Sequence, residues 1–270
     1  MRFKLSEVTP RRLCEAVIRR VKEIPHFLSW KGDSLIAREN RLRLEQFRGK
    51  HAGQRCFVMG NGPSLSRMDL SLLKDEITFG MNRIYLLFDK MSFIPTYFTC
   101  VNELVLEQFA DDIQLLPMPK FLNWNRRDYF NTDDKNTMFI RMRIGISISD
   151  SFVSDPAESL DGGGTVTYAA LQLAYYLGFK EVVLIGVDHS YNEKGRPNKT
   201  EVRTAEVDAS HCHPNYFPKG IKWQLPDLLR SELAYAIARK AFEKDGRKII
   251  DATEGGNLEV FERVDFNSLF

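Results

Sequence analysis

The sequence specifies a doubly wound, mostly parallel α/β sheet preceded by a basic helical extension, and three observations carry that reading. Short apolar, β-rich runs recur at residues 56–59, 77–79, 97–101, 138–140, 182–185 and 248–250. Runs of this kind are strands buried on both faces, as parallel sheets require. Between them lie helical patterns, notably 165–177 and 228–244, which end at Gly178 and near Gly246, where a left-handed C-terminal residue is favoured. The first 54 residues differ in kind, being rich in arginine. The expected organisation is therefore an extension at 1–54 and one α/β domain at 55–270. No internal repeat or low-complexity tract interrupts it.

Composition narrows the class of partner. A chain of 270 residues with 43% apolar content can fill a substantial core. Its formal net charge of +2 is too balanced for a dedicated nucleic-acid binder. Cys14, Cys56, Cys100 and Cys212 are widely separated and form no CxxC pair, the pattern of reduced thiols in the cytosol. No window approaches the roughly 18 apolar residues of a spanning helix. The expected location is the cytoplasm, with the N-terminal helix as the element suited to the inner-membrane surface.

In that extension Leu13, Val17, Val21, Ile24 and Leu28 recur at intervals of three or four, opposite a face of arginines. Three roles are open to it: packing on the main domain, contact with an anionic membrane, and contact with another subunit such as a second copy of the chain. No site residue falls there.

The first strand runs straight into Gly60-Asn61-Gly62-Pro63-Ser64. Glycines let a backbone approach closely, and amides opening a helix favour an anion, so this turn reads as a nucleotide-phosphate cradle. Pro63 suits a first helical turn, while Asn61 and Ser64 can donate to phosphate or ribose oxygens. The turn is neither a Walker A loop nor a GxGxxG fingerprint, which removes support for ATP hydrolysis and ordinary NAD binding. A tight turn without ligand is the alternative.

Further candidates also follow strands or open helices. Asn82 and Asn102 are neutral amides suited to a base or sugar, or else to capping. Asp161-Gly162-Gly163-Gly164-Thr165-Val166-Thr167 is a second candidate anion nest, with Thr165 capping a helix and Thr167 reaching a ligand. Asp188, at the end of the most hydrophobic strand, could bind ribose, hold a metal or orient a histidine. Two of five histidines, His211 and His213, lie in one short run with Tyr216. A general base for a hydroxyl acceptor, a zinc site with His189 and Asp188, and structural hydrogen bonding are all compatible with that run. The stretches 123–135 and 192–208 read as loops or lids.

These motifs resemble those of bacterial sialyltransferases of glycosyltransferase family 42 and of the Maf-type flagellin glycosyltransferase domain. Gly60 to Leu65 looks like the family's first nucleotide loop, and Asn82 and Asn102 resemble asparagines that contact its cytidine nucleotide. The run from Thr165 through Gly178 to Asp188 looks like its second half, and Asp251-Ala-Thr-Glu-Gly-Gly256 is similar to the closing motif of the Maf-type domain. The resemblance spans about residues 55–260. It implies a Rossmann-like, GT-A-type fold and inverting transfer of an acidic sugar from a CMP donor to a hydroxyl on a surface glycan or glycoprotein. It further implies His211 or His213 as the base and Tyr191 and Tyr216 as phosphate partners, with no metal and no cofactor beyond the donor. Pterin pyrophosphokinases of archaeal type are also similar, and that chemistry would need ATP and Mg²⁺, with Asp188 at the cradle. A catalytically silent nucleotide-binding module is the third alternative.

Overall fold

The computed structural model describes residues 10–143, 152–191, 193 and 195–270. Residues 1–9 of the extension, and 192 and 194 of the expected lid, lie outside them. Two helices come first, α1 (Pro10–Lys31) and α2 (Leu35–Glu45). Strands β1 (Arg55–Met59), β2 (Thr78–Met81), β3 (Tyr97–Cys100), β4 (Lys120–Asn123) and β5 (Thr137–Ile140) follow, with short helices α3 (Glu103–Gln108) and α4 (Ala110–Gln114) between β3 and β4. The small strands β6 (Met142–Arg143) and β7 (Leu160–Asp161) pair before α5 (Val166–Tyr176) and β8 (Glu181–Ile185). Strands β9 (Thr200–Val202) and β10 (Lys222–Gln224) form an antiparallel pair outside the main sheet. Helix α6 (Leu228–Lys244), β11 (Lys248–Asp251) and β12 (Glu262–Arg263) close the chain.

The main sheet has eight strands in the order β12-β11-β8-β1-β2-β3-β4-β5, and every pairing in it is parallel. It is a Rossmann-like α/β fold. The chain moves outward from β1 to β5 and then returns to place β8 on the other flank of β1. That reversal opens a crevice beyond the carboxyl ends of β1 and β8, where ligands of such sheets lie.

The strands form because their side chains can be buried on both faces: residues 56–59 and 182–185 are wholly inaccessible. Helix α5 packs over β1, β2 and β3 and against α6, which explains why nine of its eleven residues are buried. Both glycine stops are as expected, with φ of +91° at Gly178 and +66° at Gly246.

Three elements differ from the sequence-based expectation. The loop expected at 123–135 begins inside β4 and continues as a 3-10 turn over Trp124–Tyr129. Strand β4 opens on Lys120 after two prolines, so its pattern is not apolar. The lysine is nonetheless buried, its Nζ bonded to the Leu116 carbonyl at 2.8 Å and paired with Asp134 at 3.0 Å. The lid expected at 192–208 contains β9. After Gly62 comes only a 3-10 turn, Pro63–Arg67, not a full helix.

Helix α2 is bonded to the sheet's last strand. Its Asn40 donates to the Phe139 carbonyl at 2.9 Å and accepts from the Phe139 N–H at 2.7 Å, extending the edge of β5 with a side-chain amide. Among the described residues no helix is long and apolar enough to cross a membrane.

Candidate active site

The loops after β1, β2, β3 and β8, the start of α5 and the segment 198–231 enclose one cleft at the switch in strand order. Of the predicted residues, Asn61, Gly62, Asn82, Asn102, Gly164, Thr165, Thr167, Asp188, Tyr191, His211 and Tyr216 line it. Ser64, Gly163 and His213 do not.

The first loop is organised by close approach of backbone to backbone. The Gly60 N–H donates to the Ile185 carbonyl at 2.7 Å, and the Gly62 N–H to the Gly186 carbonyl at 2.9 Å. A Cβ on Gly60 would stand 2.1 Å from the Gly186 oxygen, and one on Gly62 would stand 1.8 Å from Asp188 Oδ2. Glycine is therefore required by the protein's own packing of β1 against β8. Ser64 is fully buried, and both its N–H and its hydroxyl donate to Asp188, at 3.0 and 2.6 Å. The carboxylate thus takes the donors that the sequence offers to a phosphate, one on each oxygen, and each oxygen keeps a further lone pair.

The asparagines divide into different tasks. The Asn61 side-chain amide donates to the Met81 carbonyl at 3.0 Å, while the Asn61 backbone carbonyl accepts the Cys212 N–H at 2.8 Å. Asn82 sits at a left-handed φ of +50° beside Tyr216 in the cleft wall. The side-chain oxygens of Asn61 and Asn82 are both buried without a partner among the described residues. Two orphan acceptors at a cleft wall are costly unless a ligand donor meets them. Asn102 uses its oxygen to cap α3, accepting from Leu104 and Val105 N–H groups at 3.0 and 3.3 Å.

In the second loop, Gly163 packs: a Cβ there would collide with Tyr168 and Ala234. Thr165 caps α5 by accepting the Thr167 N–H at 3.3 Å, and the Tyr235 hydroxyl donates to Thr165 Oγ1 at 3.4 Å. The first turn of α5 thereby presents its positive end to the cleft.

The two histidines separate clearly. His213 Nδ1 accepts the Asn215 N–H at 3.1 Å, outside the cleft. His211 has Nδ1 at 3.0 and 2.9 Å from the two oxygens of Asp208. Asp208 is completely buried and also accepts the N–H groups of Ser210 and Phe217, with Arg203 3.7 Å away. Burial opposes its ionisation, but the bonds from His211 and Ser210 and the charge of Arg203 outweigh this and hold the carboxyl below the usual carboxylate range. An ionised acceptor places the imidazole proton on Nδ1 and leaves the Nε2 lone pair as a base.

Tyr216 lies flat against His211, with ring centroids 4.1 Å apart and planes 7° from parallel. It is 1% exposed, and its ring fixes the imidazole plane. Arg83 pins this segment to the sheet through the carbonyls of Asn215 and Tyr216. Tyr191 meets the His211 edge at 5.7 Å and remains over a third exposed at the mouth.

Asp208 was not legible as a site residue, though its position three residues before His211 is the signal that could have found it. His189, at φ +53° with Nε2 3.0 Å from Glu232, is a second histidine at the cleft with an acidic partner. No group of three or more His, Cys, Asp or Glu arranged to hold a metal occurs among the described residues.

A Rossmann-like sheet with its crevice at the strand-order switch thus carries a carboxylate-oriented histidine inside that crevice. The chain belongs to the family described as 6-hydroxymethylpterin diphosphokinase MptE-like, whose model matches residues 36–194. Its fold is similar to that of a Maf glycosyltransferase from Magnetospirillum magneticum AMB-1, with a TM-score of 0.50 at 16% identity. That alignment covers 97% of this chain and 43% of the glycosyltransferase, so the chain spans under half the length of the similar structure. No curated protein matches the sequence significantly.

Proposed function

We propose that this protein is an inverting glycosyltransferase that moves an acidic sugar, sialic or a related nonulosonic acid, from a CMP donor to a hydroxyl on a glycan or glycoprotein. The observation that carries this reading is His211, whose Nδ1 is held by buried Asp208 in the same cleft as the two orphan amide oxygens. In the proposed reaction Nε2 of His211 takes the acceptor's hydroxyl proton as the oxygen attacks the anomeric carbon. The bond to the CMP oxygen breaks as the new bond forms, and CMP leaves with that electron pair. Asn61 and Asn82 offer acceptors to an amino group such as that of cytosine, and the start of α5 with Thr165 faces the phosphate.

The family description favours a second reading, pyrophosphoryl transfer from ATP·Mg²⁺ to a pterin hydroxyl, for which the same base would serve. One observation weighs toward the CMP donor. Among the described residues lining the cleft there is no lysine or arginine to meet a triphosphate.

His211→Ala is expected to lower turnover of a CMP-activated acidic sugar by roughly 10² to 10⁴ with donor affinity nearly intact. His213→Ala should leave turnover close to wild type. Unchanged turnover in His211→Ala would remove the base from the mechanism. Calorimetric titration showing tight ATP·Mg²⁺ binding and no CMP binding would transfer the site to the pterin kinase reading.

A further inference from the structure

Helix α1 has two distinct faces, and among the described residues one of them packs on the rest of the protein. Glu23, Phe27 and Trp30, at helical spacing, dock it: Asn125 donates to Glu23 at 2.9 Å, the Arg141 guanidinium lies 4.9 Å from the Phe27 ring centroid, and buried Trp30 bonds the Glu158 carbonyl and meets Trp124 edge-on at 5.1 Å. Val17, Val21, Ile24 and Leu28 form a second stripe, roughly a third of a turn round the helix. Each of these four, with neighbouring Ile18, is more than half exposed. A contiguous exposed apolar stripe of this kind marks a candidate interaction surface.

Charge decides between the occupants. Helix α1 carries Arg11, Arg12, Arg19, Arg20, Lys22 and Lys31 against Glu15 and Glu23, while the whole chain has a net charge of only +2. One of the two acids, Glu23, is already held by Asn125. A second copy of such a helix would bring like charge, and the stripe from Val17 to Leu28 is shorter than the roughly three heptads that sustain a coiled coil. Pro25 lies within it. An apolar stripe bordered by exposed Arg20 and Lys22 instead matches a bilayer surface bearing anionic headgroups, with valine, isoleucine and leucine entering the acyl boundary and the cations meeting the lipid charge.

We infer that the exposed face of α1 docks the protein reversibly on an anionic membrane surface. The inference stands apart from the proposed reaction, since none of these residues lines the cleft. It is tested by sedimentation of the full chain with phosphatidylcholine vesicles, with and without phosphatidylglycerol. Wild type should pellet with the anionic vesicles only, and less so as salt is raised. Val21→Asp/Leu28→Asp and Arg20→Glu/Lys22→Glu should each weaken that binding about tenfold or more, with wild-type circular dichroism and unfolding midpoint. The inference is overturned if wild type stays in the supernatant or if both double variants bind as wild type does. It is equally overturned if light scattering shows a dimer that Val21→Asp/Leu28→Asp converts to monomer.

Discussion

Replacing Asp208 with asparagine removes one charge and changes almost no volume, which isolates what the carboxylate does for His211. Asp208 accepts from three donors, His211 Nδ1, Ser210 N–H and Phe217 N–H, and its side chain is inaccessible to solvent. An amide can satisfy these only in part. If its oxygen keeps Ser210, its NH2 group confronts the Phe217 N–H and drives His211 to accept on Nδ1, moving the ring proton to Nε2 and abolishing the base. Turnover should fall by roughly 10² to 10⁴, while donor affinity holds. One buried donor left unpaired costs about 1 to 3 kcal/mol of stability at neutral pH. The pH dependence has a definite sign. Because Asp208 titrates below its unfolded value, its contribution is complete above about pH 4 and declines as pH falls through the depressed folded value. Urea unfolding of both proteins across this range should therefore show their difference shrinking only in acid. Full turnover in Asp208→Asn, together with the stability loss, would make the pair structural and refute the reasoning.

Gly62→Ala places a methyl group 1.8 Å from Asp188 Oδ2 and 2.9 Å from the Gly186 oxygen. Asp188 must swing away and release the fully buried Ser64, so a loss of about 3 kcal/mol or more is expected in thermal or urea unfolding. Asn40→Ala strips both bonds from the Phe139 peptide and should cost about 2 to 4 kcal/mol, by the same measurement. A near-neutral Asn40→Ala would show that α2 is a loose appendage instead of part of the sheet's edge. Alkylation kinetics should find Cys212 inert in the native state, because burial pushes its thiol up to about 12.

The sheet was legible where strands are apolar on both faces, and illegible where a charge is hidden by tertiary partners. Residues 182–185 declare themselves; Lys120 opens a strand that only the Leu116 carbonyl and Asp134 make tolerable. The same limit shaped the site. Gly60 and Gly62 correctly signal a close approach, but a sequence does not say what approaches, and here it is Gly186 and Asp188. His211 and His213 are indistinguishable by type and spacing. They are separated by the fold of residues 208–217, which turns one onto Tyr216 and Asp208 and the other away.

Under the proposed reading, electrostatics connects the chain's uneven distribution of charge to a CMP donor. Basic side chains crowd α1, whereas the described cleft lining has none, so a bound phosphate must be met by dipoles and neutral donors. The N-terminus of α5 supplies on the order of half an elementary positive charge, which suits the one charge on the phosphodiester of the proposed donor, whose sugar carboxylate lies apart from it. A triphosphate brings about four charges and would need Mg²⁺ and several cations to enter the same crevice. Donor affinity governed by dipoles and amide acceptors should change little between low and moderate salt, because no long-range cationic field draws the ligand in. A steep fall in CMP affinity over that range would place an unseen cation at the phosphate and undo this account of donor choice.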